Sequence, residues 1–223
     1  MFGTPYRRPK SKALEEKKMQ REDEGKLMKA LSWVVEIDVP ALKASIEAER
    51  QSTPNITNEK LIDRCFTKAT WKATTAGFLT GLPSNLWIAL PAATADVAAT
   101  LKAEAYAVAK ASLIIDEHFF DDEDAQWELL IPIFGINLGS QFMREFGVRG
   151  AMGLTRVAIK KYLSKETLKI LKKIMLKYFG IKVTQKGILT KTIPIVGGII
   201  GGTWNYFEVK GVKKRTKLYL GQR

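Results

Sequence analysis

From Lys191 the chain reads Lys-Thr-Ile-Pro-Ile-Val-Gly-Gly-Ile-Ile-Gly-Gly-Thr-Trp-Asn-Tyr206, with no charge between Lys191 and Glu208. Bulky apolar residues surround the glycine pairs Gly197/Gly198 and Gly201/Gly202, a composition that suits a helix better than a loop. At helical pitch the pairs repeat every four residues, so Gly197 stacks over Gly201 and Gly198 over Gly202 on one face. Each glycine costs a helix roughly 1 kcal/mol relative to alanine, so four of them call for a packing reason. Two settings supply one: a helix crossing inside a soluble bundle, or a helix in contact with lipid.

The remainder of the chain reads as helix too. Ala, Leu, Lys and Glu are frequent and no useful length of strand-like alternation occurs, so the fold class is all-α: a single multi-helix bundle with a glycine-rich central or late helix and short interrupted apolar helices. Residues 1–25 read as a charged flexible tail, 26–218 as one domain and 219–223 as a C-terminal tail; 223 residues suffice to bury one core. Leu27, Leu31, Val34 and Val35 mark a first amphipathic helix, and Asp38 caps a second that tolerates Pro40 in its first turn. Asn58 opens a third, with Leu61, Ile62, Cys65, Phe66, Ala69 and Ala73 on its apolar face and an end between Gly77 and Gly81. A short apolar helix over 85–90 and an alanine-rich helix over 92–115 follow, separated at Pro91, with Asp96 in the first turn of the latter as a dipole partner. The apolar stripe from Trp127 to Phe146 is expected to bend at Pro132 and Gly135.

Charge is unevenly placed. Of the net +13, residues 149–223 carry +16 and the preceding 148 residues −3. On a helical wheel over 165–179, Lys165, Lys169, Lys172, Lys173 and Lys177 gather opposite Leu168, Leu171, Ile174, Met175, Tyr178 and Phe179. After the uncharged glycine segment comes a second basic cluster, Lys210, Lys213, Lys214, Arg215 and Lys217. Basic residues flanking an apolar segment suit the cytoplasmic side of a membrane, where each charge near anionic lipid contributes about 1 kcal/mol. An anionic membrane surface or a membrane protein is therefore the expected partner. Neither uncharged run reads as a spanning helix: 73–95 is interrupted by Gly77, Gly81, Pro83, Asn85 and Pro91, and 192–207 has 16 residues where roughly 20 are needed. A peripheral or soluble cytoplasmic protein is expected; no apolar run follows Arg7 and Arg8 as a secretory signal would require.

Reaction chemistry is thinly represented. Cys65, the single cysteine, excludes an internal disulfide and falls on an apolar face without a neighbouring histidine, as a core residue would. His118 stands among six carboxylates between Asp116 and Asp124, but in no metal-binding spacing. No phosphate loop or cofactor motif occurs, and the chain reads as non-enzymatic. An alternative is a hydrolase-like enzyme whose site joins Asp96 to the acidic stretch around His118. A second is nucleic-acid binding, which the charge permits although no aromatics interleave the basic run.

Three stretches together resemble the EcsC-type protein family: Thr80-Gly-Leu-Pro83, Leu90-Pro-Ala-Ala-Thr-Ala-Asp-Val-Ala-Ala99, and Lys182-Val-Thr-Gln-Lys186 leading into the segment from Ile193 to Tyr206. Their order and spacing agree over about residues 60–208. Ser84 and Asn85 stand where the family usually has two glycines, Asp96 lies further from Pro91 than is usual, and Ala111-Ser-Leu-Ile-Ile-Asp116 replaces a Y-G-Y-D-type motif. The resemblance implies an α-helical, cytoplasmic, membrane-associated protein, since the family is named for a protein encoded beside an ABC exporter. It singles out Gly81, Leu82, Pro83, Asp96, Pro194, Gly197, Gly201, Asn205 and Tyr206. For Asn205, hydrogen bonding to a neighbouring backbone is one expected role.

Overall fold

The computed structural model describes residues 25, 28–80, 86–122, 125–135, 176–178, 180–182 and 194–221; within these, 76–80, 86–96, 194–202 and 204 are described by their backbone. The described residues are all-α, with helices packed on one another and no strand among them. Helix α1 covers 28–35, and its Leu31, Val34 and Val35 are buried, as their spacing predicts. Helix α2, Val39–Ser52, starts where Asp38 accepts a hydrogen bond from the Ala41 amide at 2.9 Å, with Pro40 in the first turn. Helix α3, Asn58–Thr80, buries all six residues of its expected apolar face.

Helix α4, Leu86–Ile115, differs from expectation. Pro91 does not separate two helices; it sits inside a single one of 30 residues. A proline there lacks the amide that would bond the Trp87 carbonyl, a local cost of about 3 kcal/mol that tertiary packing of the long helix outweighs. Farther along, α4 is buried on nearly every side, through Leu101, Ala105, Val108, Ala109 and Leu113 among others. Its alanines let neighbouring helices come close.

A 3-10 turn at Phe119–Asp121 leads to α5, Ala125–Glu128, and α6, Leu130–Phe134. Pro132 explains the break between them, since it offers no amide to the Glu128 carbonyl and its ring would crowd that oxygen. Gly135 ends α6 with φ +84°, a conformation glycine adopts without strain. The stripe beyond Gly135 lies outside the described residues. Helix α7, Pro194–Tyr219, contains the four paired glycines.

Three contacts set α7 antiparallel to α3: Asn205 Nδ2 donates to the Ala73 carbonyl at 2.7 Å, Lys213 lies 2.8 Å from Asp63, and Lys217 lies 3.0 Å from Glu59. Exposed ion pairs of this kind contribute little stability each, so their effect is on register. Burial raises the Asp63 carboxyl, but Lys213 and Lys217 outweigh it and hold the group below its ordinary value. The buried Asn205 amide is a stronger tie. Asn205→Ala is expected to cost about 1–3 kcal/mol in urea denaturation, through the lost bond and the space left behind; a change under about 0.5 kcal/mol would show that this bond does not hold the two helices. At its far end α7 reaches Tyr219, which is buried and donates to Glu128 Oε2 at 3.0 Å, so the folded unit includes Tyr219.

Candidate functional site

Antiparallel packing gathers the described parts of the uncharged runs at one end of the described helices. Asn58 Nδ2 donates to the Ile114 carbonyl at 3.4 Å, so the start of α3 meets the end of α4. The end of α3, the start of α4 and the start of α7 therefore share the opposite pole. Because both helices rise about 1.5 Å per residue, the Asn205–Ala73 contact brings Gly201 and Gly202 level with residues 75–77, and Gly197 and Gly198 level with the last turn of α3. The described parts of the two uncharged runs, 73–80 with 86–95 and 194–207, about 100 residues apart in sequence, lie at one end of the described helices. Asp96 is the one charge on α4 within that level.

Aromatic side chains ring the border of this pole. Trp71 is 71% exposed and Phe207 65%, and both stand within two residues of the Ala73–Asn205 contact. Tyr206 packs edge-on against Phe207 with ring centroids 5.5 Å apart, and the Lys210 ammonium lies 4.4 Å above the Tyr206 ring. By the α3–α4 pairing, Lys102 stands at the same level, its ammonium 5.1 Å from the half-exposed Trp33 ring.

Just inside the belt, a cleft of about 500 Å³ opens between α2, α3 and α4. Lys68 and Lys72, one turn apart on α3, face Lys102, Tyr106 and Lys110, spaced at four residues on α4. Among the lining residues four ammonium groups meet one carboxylate, Glu49 of α2; with Glu36, which acts on Lys102 from beside the cleft, the surplus is two positive charges. Glu49 Oε1 lies 2.6 Å from Lys68 and 2.9 Å from Lys110, whose ammonium also donates to Ser45 Oγ at 2.6 Å. Burial raises the Glu49 carboxyl, but hydrogen bonds from the two lysines overcome this and leave it below its ordinary value. Lys102 donates to the carbonyls of Trp33 and Glu36 at the end of α1, and burial lowers its pKa. The Glu36 carboxylate acts on Lys102 as a counter-charge, opposing the effect of burial. At the cleft wall Cys65 donates to the Leu61 carbonyl at 3.1 Å, and burial pushes its thiol up to about 11. It is no nucleophile near neutral pH.

A second constellation centres on a buried carboxylate and is otherwise partly buried. Glu104 is 0% exposed, and neither carboxylate oxygen has a hydrogen-bond partner among the described residues. Burial, reinforced by the nearby Glu208, pushes it up to about 8 against the pull of Lys182 and Arg215. Lys182 pairs with Glu208 and lies 5.0 Å from the Phe134 ring. Arg215 turns inward: Nε donates to the Pro132 carbonyl at 2.6 Å and a terminal nitrogen to the Ile133 carbonyl at 2.9 Å. Gly135 and Gly211 make room for it; a Cβ would come within 3.1 Å and 2.9 Å of the Arg215 side chain.

The basic residues singled out in sequence are therefore divided by the fold. Lys210, Lys214 and Lys177 are exposed, Lys213 and Lys217 bind acids of α3, and Arg215 serves the core. Lys165, Lys169, Lys172 and Lys173, with Gly81, Leu82 and Pro83, lie outside the described residues; Asp96, Pro194, Gly197 and Gly201 are described by backbone alone. Asp96 lies ten residues into α4, not in a first turn. From there to Ile115 the helix rises about 28 Å, and His118 lies beyond that end, 73% exposed and 2.9 Å from Asp121 Oδ2. Asp96 and His118 do not converge. Sequence reasoning passed over Lys68, Lys72, Lys102 and Lys110, although lysines inside the apolar helix α4 and the Lys68/Lys72 pair beside Trp71 were legible signals. Compared with protein families, curated proteins and solved structures, the chain matches none. Among the described residues no helix is long and apolar enough to cross a membrane.

Proposed function

We propose that the chain is a non-enzymatic peripheral protein that docks its uncharged pole on an anionic membrane surface at the cytoplasmic face. The observation that carries this reading is the belt of Trp33, Trp71, Tyr206 and Phe207 with Lys72, Lys102 and Lys210 at the border of that pole. Tryptophan and tyrosine favour the level of lipid headgroups, where an apolar ring and a polar edge are both satisfied, and lysines there meet anionic lipid. The basic face over 165–177 would add to the attraction. The resemblance to EcsC-type proteins points the same way and makes an ABC-type exporter or another membrane protein a candidate neighbour.

Vesicle flotation of the full chain tests the proposal. Binding to phosphatidylglycerol-containing vesicles over neutral ones is expected at low salt. The double variant Trp71→Ser/Phe207→Ser should bind at least about tenfold more weakly, each ring contributing on the order of 1–3 kcal/mol when buried. Equal recovery with anionic and neutral vesicles would end the membrane reading. Steep salt-dependent binding to DNA without lipid preference would favour the nucleic-acid alternative.

A further inference from the structure

We infer that the cleft between α2, α3 and α4 is a binding site for a phosphomonoester dianion. Its lipid form rests on the membrane-docking reading above, since the cleft opens at the same belt; its soluble form does not. The ligand class follows from charge and donor type. With Glu36 beside Lys102 counted, the surplus of two positive charges exceeds what a singly charged phosphodiester needs, and matches a monoester carrying nearly two charges at neutral pH. Every charged donor is a lysine, a compact cation with three rotatable donors, suited to the tetrahedral oxygens of phosphate and less so to the planar fork that arginine offers a carboxylate.

The site is built, not a chance gathering of surface charge. Lys110 is 3% exposed and held on two sides, by Ser45 Oγ at 2.6 Å and Glu49 Oε1 at 2.9 Å. Lys102 is anchored by the backbone carbonyls of Trp33 and Glu36, and the Glu36 carboxylate acts on it as a partial counter-charge. Lys72 lines the cleft one turn beyond Lys68, on the side toward the uncharged pole. Tyr106, half-exposed and midway between Lys102 and Lys110 on the same face, supplies a ring edge and a hydroxyl at the cleft wall. A volume of about 500 Å³ admits a phosphorylated headgroup or a sugar phosphate and falls within the usual range for small-ligand sites. Glu49 orients Lys68 and Lys110 and leaves two further ammonium groups for the incoming anion.

The test compares a monoester with a diester at equal surface charge. The full chain is floated with phosphatidylcholine vesicles containing phosphatidic acid or phosphatidylglycerol, and titrated calorimetrically with glycerol 3-phosphate in solution. At least tenfold tighter binding to phosphatidic acid is expected, with that preference lost in Lys72→Glu. Lys210→Glu/Lys214→Glu, outside the cleft, should weaken both vesicle types alike and keep the ratio. Thermal unfolding of each variant verifies that it is folded. Glycerol 3-phosphate binding that Lys72→Glu abolishes, without vesicle binding, would support the site in its soluble form and overturn the membrane reading. Equal binding to the two lipids with no heat from glycerol 3-phosphate would overturn the cleft assignment and leave the membrane reading standing. No binding in any arm would overturn both.

Discussion

Replacing Arg215 with methionine is expected to lower the unfolding free energy by about 3–5 kcal/mol, the range for removing one partner from a buried charge network. Methionine fills much the same space, so the loss isolates the charge and its hydrogen bonds. Two carbonyls, those of Pro132 and Ile133, would lose their donors, and the Glu104–Glu208 pair would lose one of the cations that act on it. Lys214→Met, on the exposed side of the same turn, is the control and should stay within about 0.5 kcal/mol of the parent. Urea denaturation followed by circular dichroism measures both. An Arg215 variant as stable as the Lys214 variant would show that the two carbonyls and Glu208 find other partners.

The second large effect is a pH dependence centred on Glu104. Its carboxyl lies near 4.5 when unfolded and about 8 when folded, so between these values the folded chain holds a proton that the unfolded chain releases. Stability from this group is fully present below about pH 4.5, falls as pH rises, and levels off above pH 8. The slope in that window approaches about 1.4 kcal/mol per pH unit for one proton. Glu49 and Asp63 act in the opposite sense: both are held below their ordinary values, so their contribution is lost on acidification, below the Glu104 window. Glu104→Gln keeps the shape and removes the titration. Its stability should be flat where the parent declines, and it should exceed the parent most clearly near pH 8. Parallel curves for the two proteins would show that Glu104 keeps its ordinary value, through contacts beyond Glu208, Lys182 and Arg215.

The buried cluster also explains why the basic C-terminal segment could not be assigned from charge alone. Lys210, Lys213, Lys214, Arg215 and Lys217 look alike in a charge count, yet Arg215 projects about 100° or more around α7 from each of the four lysines, which themselves divide between α3 and solvent. Lys213 and Lys217 meet Asp63 and Glu59, Arg215 meets backbone carbonyls of α6, and Lys210 and Lys214 stay in solvent. Exposure depends on which helix lies opposite, and no local pattern specifies that. Pro91 was misleading for a related reason. Its local preference is to end a helix, but the packing of a 30-residue helix outweighs one missing hydrogen bond.

Side-chain periodicity alone was enough to establish helix, because a helix forms from contacts three and four residues apart. It placed the apolar face of α3 at Leu61, Ile62, Cys65, Phe66, Ala69 and Ala73, and the cap of α2 at Asp38, each where the structure has it. The uncharged glycine segment was likewise legible as helix, now part of α7. What the folded chain alone decided is convergence. The Ala73 carbonyl meets Asn205 across 132 residues, and Lys110 meets Glu49 across 61. Those contacts gather two distant uncharged runs into one pole and four scattered lysines into one cleft. Periodicity reports which face of a helix is apolar; only packing selects the neighbour that covers it, and both the pole and the cleft arise from that selection.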